Sequence, residues 1–301
     1  MTAIPEQHQQ HLNGVDLCWF RWRGSEPGLA PVLLVHATGF HARCWDQVVH
    51  HLPGREVIAV DMRGHGRSGK NGPITWDAFG QDLIALVQHL GLHGAVGVGH
   101  SMGGHSVVQA AAAVPEAFCR LVLVDPVIMA PEVYAQRQDW GEGAEHPTAK
   151  RRNHWQSWTE MFERFRDRMP FAAWDPKVLE DYCRWGVLPN PEPDREKGDG
   201  WVLACPPQVE ASIYMGSSGK DIQELLGEIA IPVTVLRARP RSAERDPMDF
   251  SSSPTWPELA QHFPHGRDVH LPEHSHFIPM EDPELVAGWI LDKPAAAHGV
   301  C

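Results

Sequence analysis

The chain has 301 residues, 43% of them hydrophobic and 21% charged, a balance that excludes a mainly disordered or fibrous protein. Its length is about twice the ~150 residues of a typical domain, so it holds two small domains or one large domain with an insertion. Lys and Arg total 26 against 38 Asp and Glu, and the net charge of −12 argues against nucleic acid or an anionic membrane as the main partner.

The first ten residues carry neither the basic start nor the apolar core of a signal peptide. Valine-rich runs at 31–35, 57–60, 95–98, 121–124 and 233–236 have strand length and no polar alternation. Such runs predict strands buried on both faces of a parallel sheet. Between them, Trp45, Val48, Val49 and Leu52 recur at helical spacing. A second stripe, Trp76, Phe79, Leu83, Leu86 and Leu90, has Thr75 as its N-cap and Gly91 as its stop. The stretch 83–115 lacks Asp, Glu, Lys and Arg, yet its glycines and histidines cut it into pieces too short and polar to span a membrane.

The alternation lapses between 126 and 219, which predicts an insertion there. Trp155, Trp158, Met161, Phe162 and Phe165 are expected on one helical face, and Asp175-Pro176 opens a helix that Gly186 ends. That apolar stripe fits either a small helical core or the underside of a lid over a pocket. Residues 189–200 read as an exposed turn, and the basic residues near 150–152 and 164–168, interleaved with acids, as a solvated helix face. Past the last valine-rich run, Asp282-Pro283 starts a helix with Leu285, Val286, Trp289 and Ile290 on one face. Six cysteines, at 18, 44, 119, 183, 205 and 301, show no close pairing and read as free thiols in a reducing, cytoplasmic setting.

The strongest chemical signal is GVGHSMGG, residues 97–104, placed between an expected strand and the alanine-rich helical segment 107–114. A serine hydroxyl is a weak nucleophile unless a sharp turn presents it to a base. Gly99 and Gly103 can relieve the crowding of such a turn around Ser101.

On these residues the chain resembles the α/β-hydrolase family over nearly its whole length. Three further motifs agree: HATGF at 36–40, DMRGHGRS at 61–68 and HSHFIPMEDPELV at 274–286. The resemblance implies an α/β fold with a mostly parallel central sheet, helices on both faces and an inserted helical cap. It divides the chain into a core at 1–130 and 220–301 and a cap at 131–219.

The resemblance implies His276 as the base, favoured over its neighbour His274 by Phe277 and the Glu281-Asp282-Pro283 spacing. It implies the backbone amides of Thr38 and Met102 as the oxyanion hole, with His36 as a loop anchor. Most relatives carry the acid after the strand corresponding to 233–236, but here that stretch reads ARPRSAERDPMDF, with Arg239 and Arg241 near the expected position. A minority arrangement puts the acid after the preceding strand, at Asp125. Asp125 therefore ranks first, Asp246 second and Glu244 third, with Asp249 also in that loop.

The implied activity is ester hydrolysis of a small, hydrophobic molecule, with Phe40, Trp155, Trp158 and Phe162 lining the substrate pocket. No cofactor or metal is expected, and the partner is a small-molecule substrate, with neither nucleic acid nor membrane. Carbon-carbon bond hydrolases, lactonases and thioesterases share the same resemblance. A ligand receptor with a slow or inactive triad is the alternative from outside enzymology. Epoxide hydrolases and haloalkane dehalogenases use an aspartate where this chain has Ser101.

Overall fold

The computed structural model describes residues 4–136, 143–194, 198–217, 220–240 and 251–292. Strands β1 (Glu6–Leu12) and β2 (Val15–Trp22) form an antiparallel hairpin around Asn13 and Gly14, both at positive φ as a tight two-residue turn requires. There follow β3 (Val32–Val35), α1 (Asp46–His50), β4 (Val57–Asp61), α2 (Trp76–Leu90), β5 (Ala95–His100), α3 (Met102–Ala113) and β6 (Phe118–Val124). The insertion contributes α4 (Pro131–Ala135), β7 (His154–Trp155), α5 (Trp158–Phe165), α6 (Pro176–Trp185), β8 (Val187–Pro189), β9 (Trp201–Leu203) and α7 (Pro207–Met215). After α8 (Gln223–Leu226) come β10 (Val233–Arg237), β11 (Gly266–His270), α9 (Ile278–Glu281) and α10 (Pro283–Ile290).

Eight strands make one sheet in the order β1-β2-β4-β3-β5-β6-β10-β11. From β4 to β11 every pairing is parallel, whereas β2 meets both β1 and β4 antiparallel. The valine-rich runs form the central strands because each can be buried twice. In β3, Leu33 and Val35 face one apolar layer with Phe79, Leu83 and Val107 of α2 and α3. Val32 and Leu34 face the opposite layer with Val48, Val286 and Ile290 of α1 and α10. The same alternation divides Leu121 and Leu123 from Val122 and Val124 in β6, so a one-residue slip would exchange the two cores.

Capping follows the sequence closely. Thr75 accepts a hydrogen bond from the Ala78 amide, and Gly91 ends α2 in the left-handed conformation. Asp175 and Asp282 cap α6 and α10, each followed by a first-turn proline.

Three local expectations are corrected. The helix expected around 45–52 is shorter, because a 3-10 turn at Ala42–Trp45 supplies its start. Trp155 lies in β7 of a three-stranded antiparallel sheet with β9 and β8, outside the helix whose face it was expected to share. Arg151 is not part of a solvated face: its guanidinium reaches inward to the buried Glu210 carboxylate and, at 3.1 Å, to the Tyr182 hydroxyl.

A third apolar cluster joins the insertion to the sheet. Trp155, Met161, Trp174, Val178, Leu179 and Tyr182 pack with Phe40, Phe277 and Met280, and Trp158, Phe162 and Phe165 lie against it, partly exposed. These contacts put the insertion against the loops that follow β3 and precede α9.

Candidate active site

Ser101 occupies the turn between β5 and α3 at φ 56 and ψ −117, a backbone conformation unfavourable for a residue with a Cβ. Four hydrogen bonds hold it there: its amide donates to Val124 O at 3.0 Å, and its carbonyl accepts from Gly104 N at 3.0 Å, Val127 N at 3.1 Å and His105 N at 3.4 Å. The flanking glycines are required sterically. A Cβ on Gly99 would lie 2.4 Å from the Gly103 carbonyl, and one on Gly103 would lie 2.2 Å from Val35 O.

Asp125 follows β6, also at positive φ (42), and is fully buried. Its Oδ2 lies 2.7 Å from His276 Nδ1, and His276 Nε2 lies 3.0 Å from Ser101 Oγ. The three side chains therefore form a continuous chain from carboxylate through imidazole to hydroxyl. The other carboxylate oxygen, Oδ1, accepts from Ala238 N at 3.0 Å and Ser253 Oγ at 2.5 Å, with Thr255 Oγ1 at 3.1 Å. These donors fix the orientation of the carboxylate and leave Oδ2 to face the imidazole.

The loop carrying His276 is pinned on several sides. Its amide donates to Ser251 O at 2.8 Å, and its carbonyl accepts from the buried His100 Nε2 at 2.8 Å. Burial, reinforced by the nearby His276, keeps the His100 ring well below the usual histidine range, so it stays neutral. Ser275 gives both its amide and its hydroxyl to Glu281, which explains the acidic residue five positions past the histidine. His274 turns to Asp282 instead, at 3.8 Å.

The Thr38 amide stands in the loop after β3 and the Met102 amide in the first turn of α3, and neither donates to an acceptor among the described residues. Phe40 is ringed by Tyr182 at 5.3 Å, Trp174 at 5.7 Å, and Phe277 and His100 at 6.1 Å. Trp155 is buried behind this group, edge-on to Phe165 at 5.5 Å. Beside the base loop a cavity of about 300 Å³ opens between Met169, Pro170 and Ala173 of the insertion and Arg239, Glu273 and His274.

Ser101, His276 and Asp125 are thus brought together as the sequence suggested, while Asp246, Glu244 and Asp249 lie outside the described residues. Ser253, Thr255, Trp174 and Glu210 were not singled out from sequence. The only signal for the first two is the hydroxyl-rich run SSSPT at 251–255. Among the described residues, no group of three or more His, Cys, Asp or Glu converges to hold a metal ion, and no helix is long and apolar enough to cross a membrane.

Comparison with known proteins adds to this geometry. Lipase LipV of Mycobacterium tuberculosis is 41% identical over 114 residues, which is 38% of this chain and 43% of that protein. The match spans less than half of that relative. Among solved structures, E-2-(acetamidomethylene)succinate hydrolase superposes with a TM-score of 0.71 at 18% identity, covering 96% of this chain and 98% of that one. The thioesterase domain from the curacin biosynthetic pathway gives 0.69 at 19% identity, covering 96% and 100%. The family model described as alpha/beta hydrolase family matches residues 32–289. With that match across most of its length and the sheet described above, the chain belongs to the alpha/beta hydrolase family.

Proposed function

We propose that the chain is a serine hydrolase that cleaves an ester-type bond of a small, hydrophobic substrate through an acyl-enzyme. The observation that carries this reading is the chain Asp125–His276–Ser101, at 2.7 and 3.0 Å, with its carboxylate wholly buried. In the proposed cycle His276 Nε2 takes the Ser101 proton as Oγ attacks the carbonyl carbon, and the Thr38 and Met102 amides hold the oxyanion. The imidazolium then returns its proton to the leaving group. Water, deprotonated by the same nitrogen, releases the acid and restores Ser101.

Residues 131–219 act in this proposal as a cap whose aromatic side forms the substrate wall, with Phe40, Trp158 and Phe162 nearest the substrate and Trp155 supporting them. The lipase-named relative supports ester cleavage, and the five free thiols among the described cysteines fit the reducing cytoplasm.

The test is direct. A fluorophosphonate probe should label the wild type stoichiometrically and Ser101→Ala not at all, and a panel of esters, thioesters, lactones and vinylogous diketones should reveal turnover that Ser101→Ala loses. Ser101→Ala retaining more than about a tenth of the wild-type kcat/KM refutes the nucleophile. Labelling without turnover on any panel member would favour a ligand receptor instead.

A further inference from the structure

The serine-hydrolase reading leaves one requirement unexplained: what aims the Thr38 amide. Thr38 lies between two peptide units, and each is gripped by a different buried histidine. His36 Nδ1 lies 2.7 Å from Ala37 O, the carbonyl of the peptide unit that contains the Thr38 N–H. In a trans peptide the carbonyl and the N–H point in opposite directions, so fixing one fixes the other. On the far side, Gly39 N donates to His65 Nε2 at 3.1 Å, which holds the peptide unit formed by the Thr38 carbonyl and the Gly39 amide.

The grip is reciprocal. His36, on the loop after β3, accepts at Nε2 from the Met62 amide, 3.0 Å away on the loop after β4. His65 belongs to that second loop and accepts from Gly39 in the first, while its own Nδ1 faces Arg63 O at 2.9 Å. The two rings lie 4.9 Å apart and both are buried. Their partners dictate the tautomers. A carbonyl oxygen can only accept, so each Nδ1 carries the hydrogen; a backbone N–H can only donate, so each Nε2 presents its lone pair. Protonation would set N–H against N–H, and burial holds both rings below the usual histidine range and so keeps them neutral.

We propose that His36 and His65 form a reciprocal latch of neutral imidazoles that positions the Thr38 amide as an oxyanion donor. The latch rests on the serine-hydrolase reading for its purpose but not for its existence. It has two effects on Thr38. It sets the direction of the N–H, and the hydrogen bond to the Ala37 carbonyl polarises the same amide, strengthening its donor. The Glu210 carboxylate also packs against Gly39, only 2.6 Å from where a Cβ would stand, so the position admits no side chain.

The test compares His65→Leu, which lacks the acceptor, with His65→Gln, whose amide oxygen reaches about as far as Nε2. On an ester the wild type turns over, His65→Leu should lower kcat by about 10- to 100-fold with little change in KM. Affinity for a trifluoromethyl ketone, whose serine adduct places an oxyanion in the hole, should fall by a similar factor. His65→Gln should regain most of both. A merely structural role predicts instead a lower melting temperature with kcat per folded molecule and ketone affinity unchanged, and that result overturns the proposal.

Nitrogen-15 NMR of the wild-type imidazoles supplies a readout independent of turnover and of the variants' folding. Two rings assigned to His36 and His65 should keep the Nδ1–H tautomer and titrate below the usual histidine range. Titration in or above that range, or a proton on Nε2 of the neutral ring, overturns the latch even in an active enzyme. If the wild type neither turns over nor takes the ketone, the serine-hydrolase reading fails and removes the oxyanion role with it, while the spectra still decide whether the latch exists.

Discussion

Replacing Asp125 by asparagine is nearly isosteric, and the surroundings decide which way the new amide faces. The Oδ1 site receives the Ala238 N–H at 3.0 Å and the Ser253 hydroxyl at 2.5 Å. A backbone N–H cannot accept, so the carboxamide oxygen must occupy that site, and its NH2 then faces His276 Nδ1 across the former 2.7 Å contact. Nδ1 becomes an acceptor, which moves the imidazole hydrogen to Nε2 and points it at Ser101 Oγ, where a lone pair is needed. The imidazolium formed during attack also loses its counter-charge. Together these effects should lower kcat by roughly 10⁴-fold, about 5.5 kcal/mol, with KM little changed. Initial rates on the best ester of the panel and the rate of fluorophosphonate labelling should fall together, while thermal melting stays close to wild type because the amide keeps the Oδ1 hydrogen bonds. A variant within about tenfold of wild-type kcat would refute the tautomer argument and remove Asp125 from the triad. With Asp125 as the triad acid, Asp246→Asn should in contrast stay within about threefold of wild type.

Gly103→Ala should cost about 3 kcal/mol or more, because its Cβ would lie 2.2 Å from a backbone oxygen; a melting point lowered by roughly 6 °C or more checks it, and an unchanged one refutes the close-packed turn. Stability should fall with acid: burial lowers His105 from 6.5 to about 4, so the unfolded chain binds the extra proton first and about 3 kcal/mol is lost as pH drops from 6.5 to 4. The buried His36, His41, His65 and His100 shift in the same direction, and a melting temperature flat from pH 7 to 4.5 would contradict the assignment. Trp158→Ala should change the ranking of substrates more than the melting temperature; a uniform loss with a large fall in melting point would make the aromatic stripe a core and not a pocket wall.

The central strands were legible because double burial demands unbroken apolar runs, and the serine turn because its glycines are sterically obligatory. The hairpin of β1 and β2 was not. EQHQQHL lacks the apolar alternation of a half-buried strand, since β1 is an edge strand whose pairing comes from backbone hydrogen bonds. GRDVH in β11, the opposite edge, was missed for the same reason. Asp125 could be ranked from its place after LVLV, yet its support could not: Ala238, Ser253 and Thr255 lie 113 to 130 residues away, and no local pattern announces so distant a hydrogen bond. Arg151 illustrates the opposite failure. A basic residue among acidic neighbours suggests solvent, and its buried partners, Glu210 and the Tyr182 hydroxyl, draw it inward from distant parts of the sequence.

The separation between the triad members has a consequence for the order in which the molecule acquires its parts. Ser101 and His276 are 175 residues apart, and Asp125 and His276 are 151 apart. The carboxylate is completed by an amide at the end of β10, which pairs in parallel with β6 only after the whole insertion between them has been spanned. Long-range parallel pairing is slow, because loop closure must precede any reward from contacts. During refolding from denaturant, helical circular dichroism should therefore return before any capacity to react with a fluorophosphonate. The base also leaves the ribosome 175 residues after the serine, so a nascent chain can shape its serine turn well before that turn can become reactive.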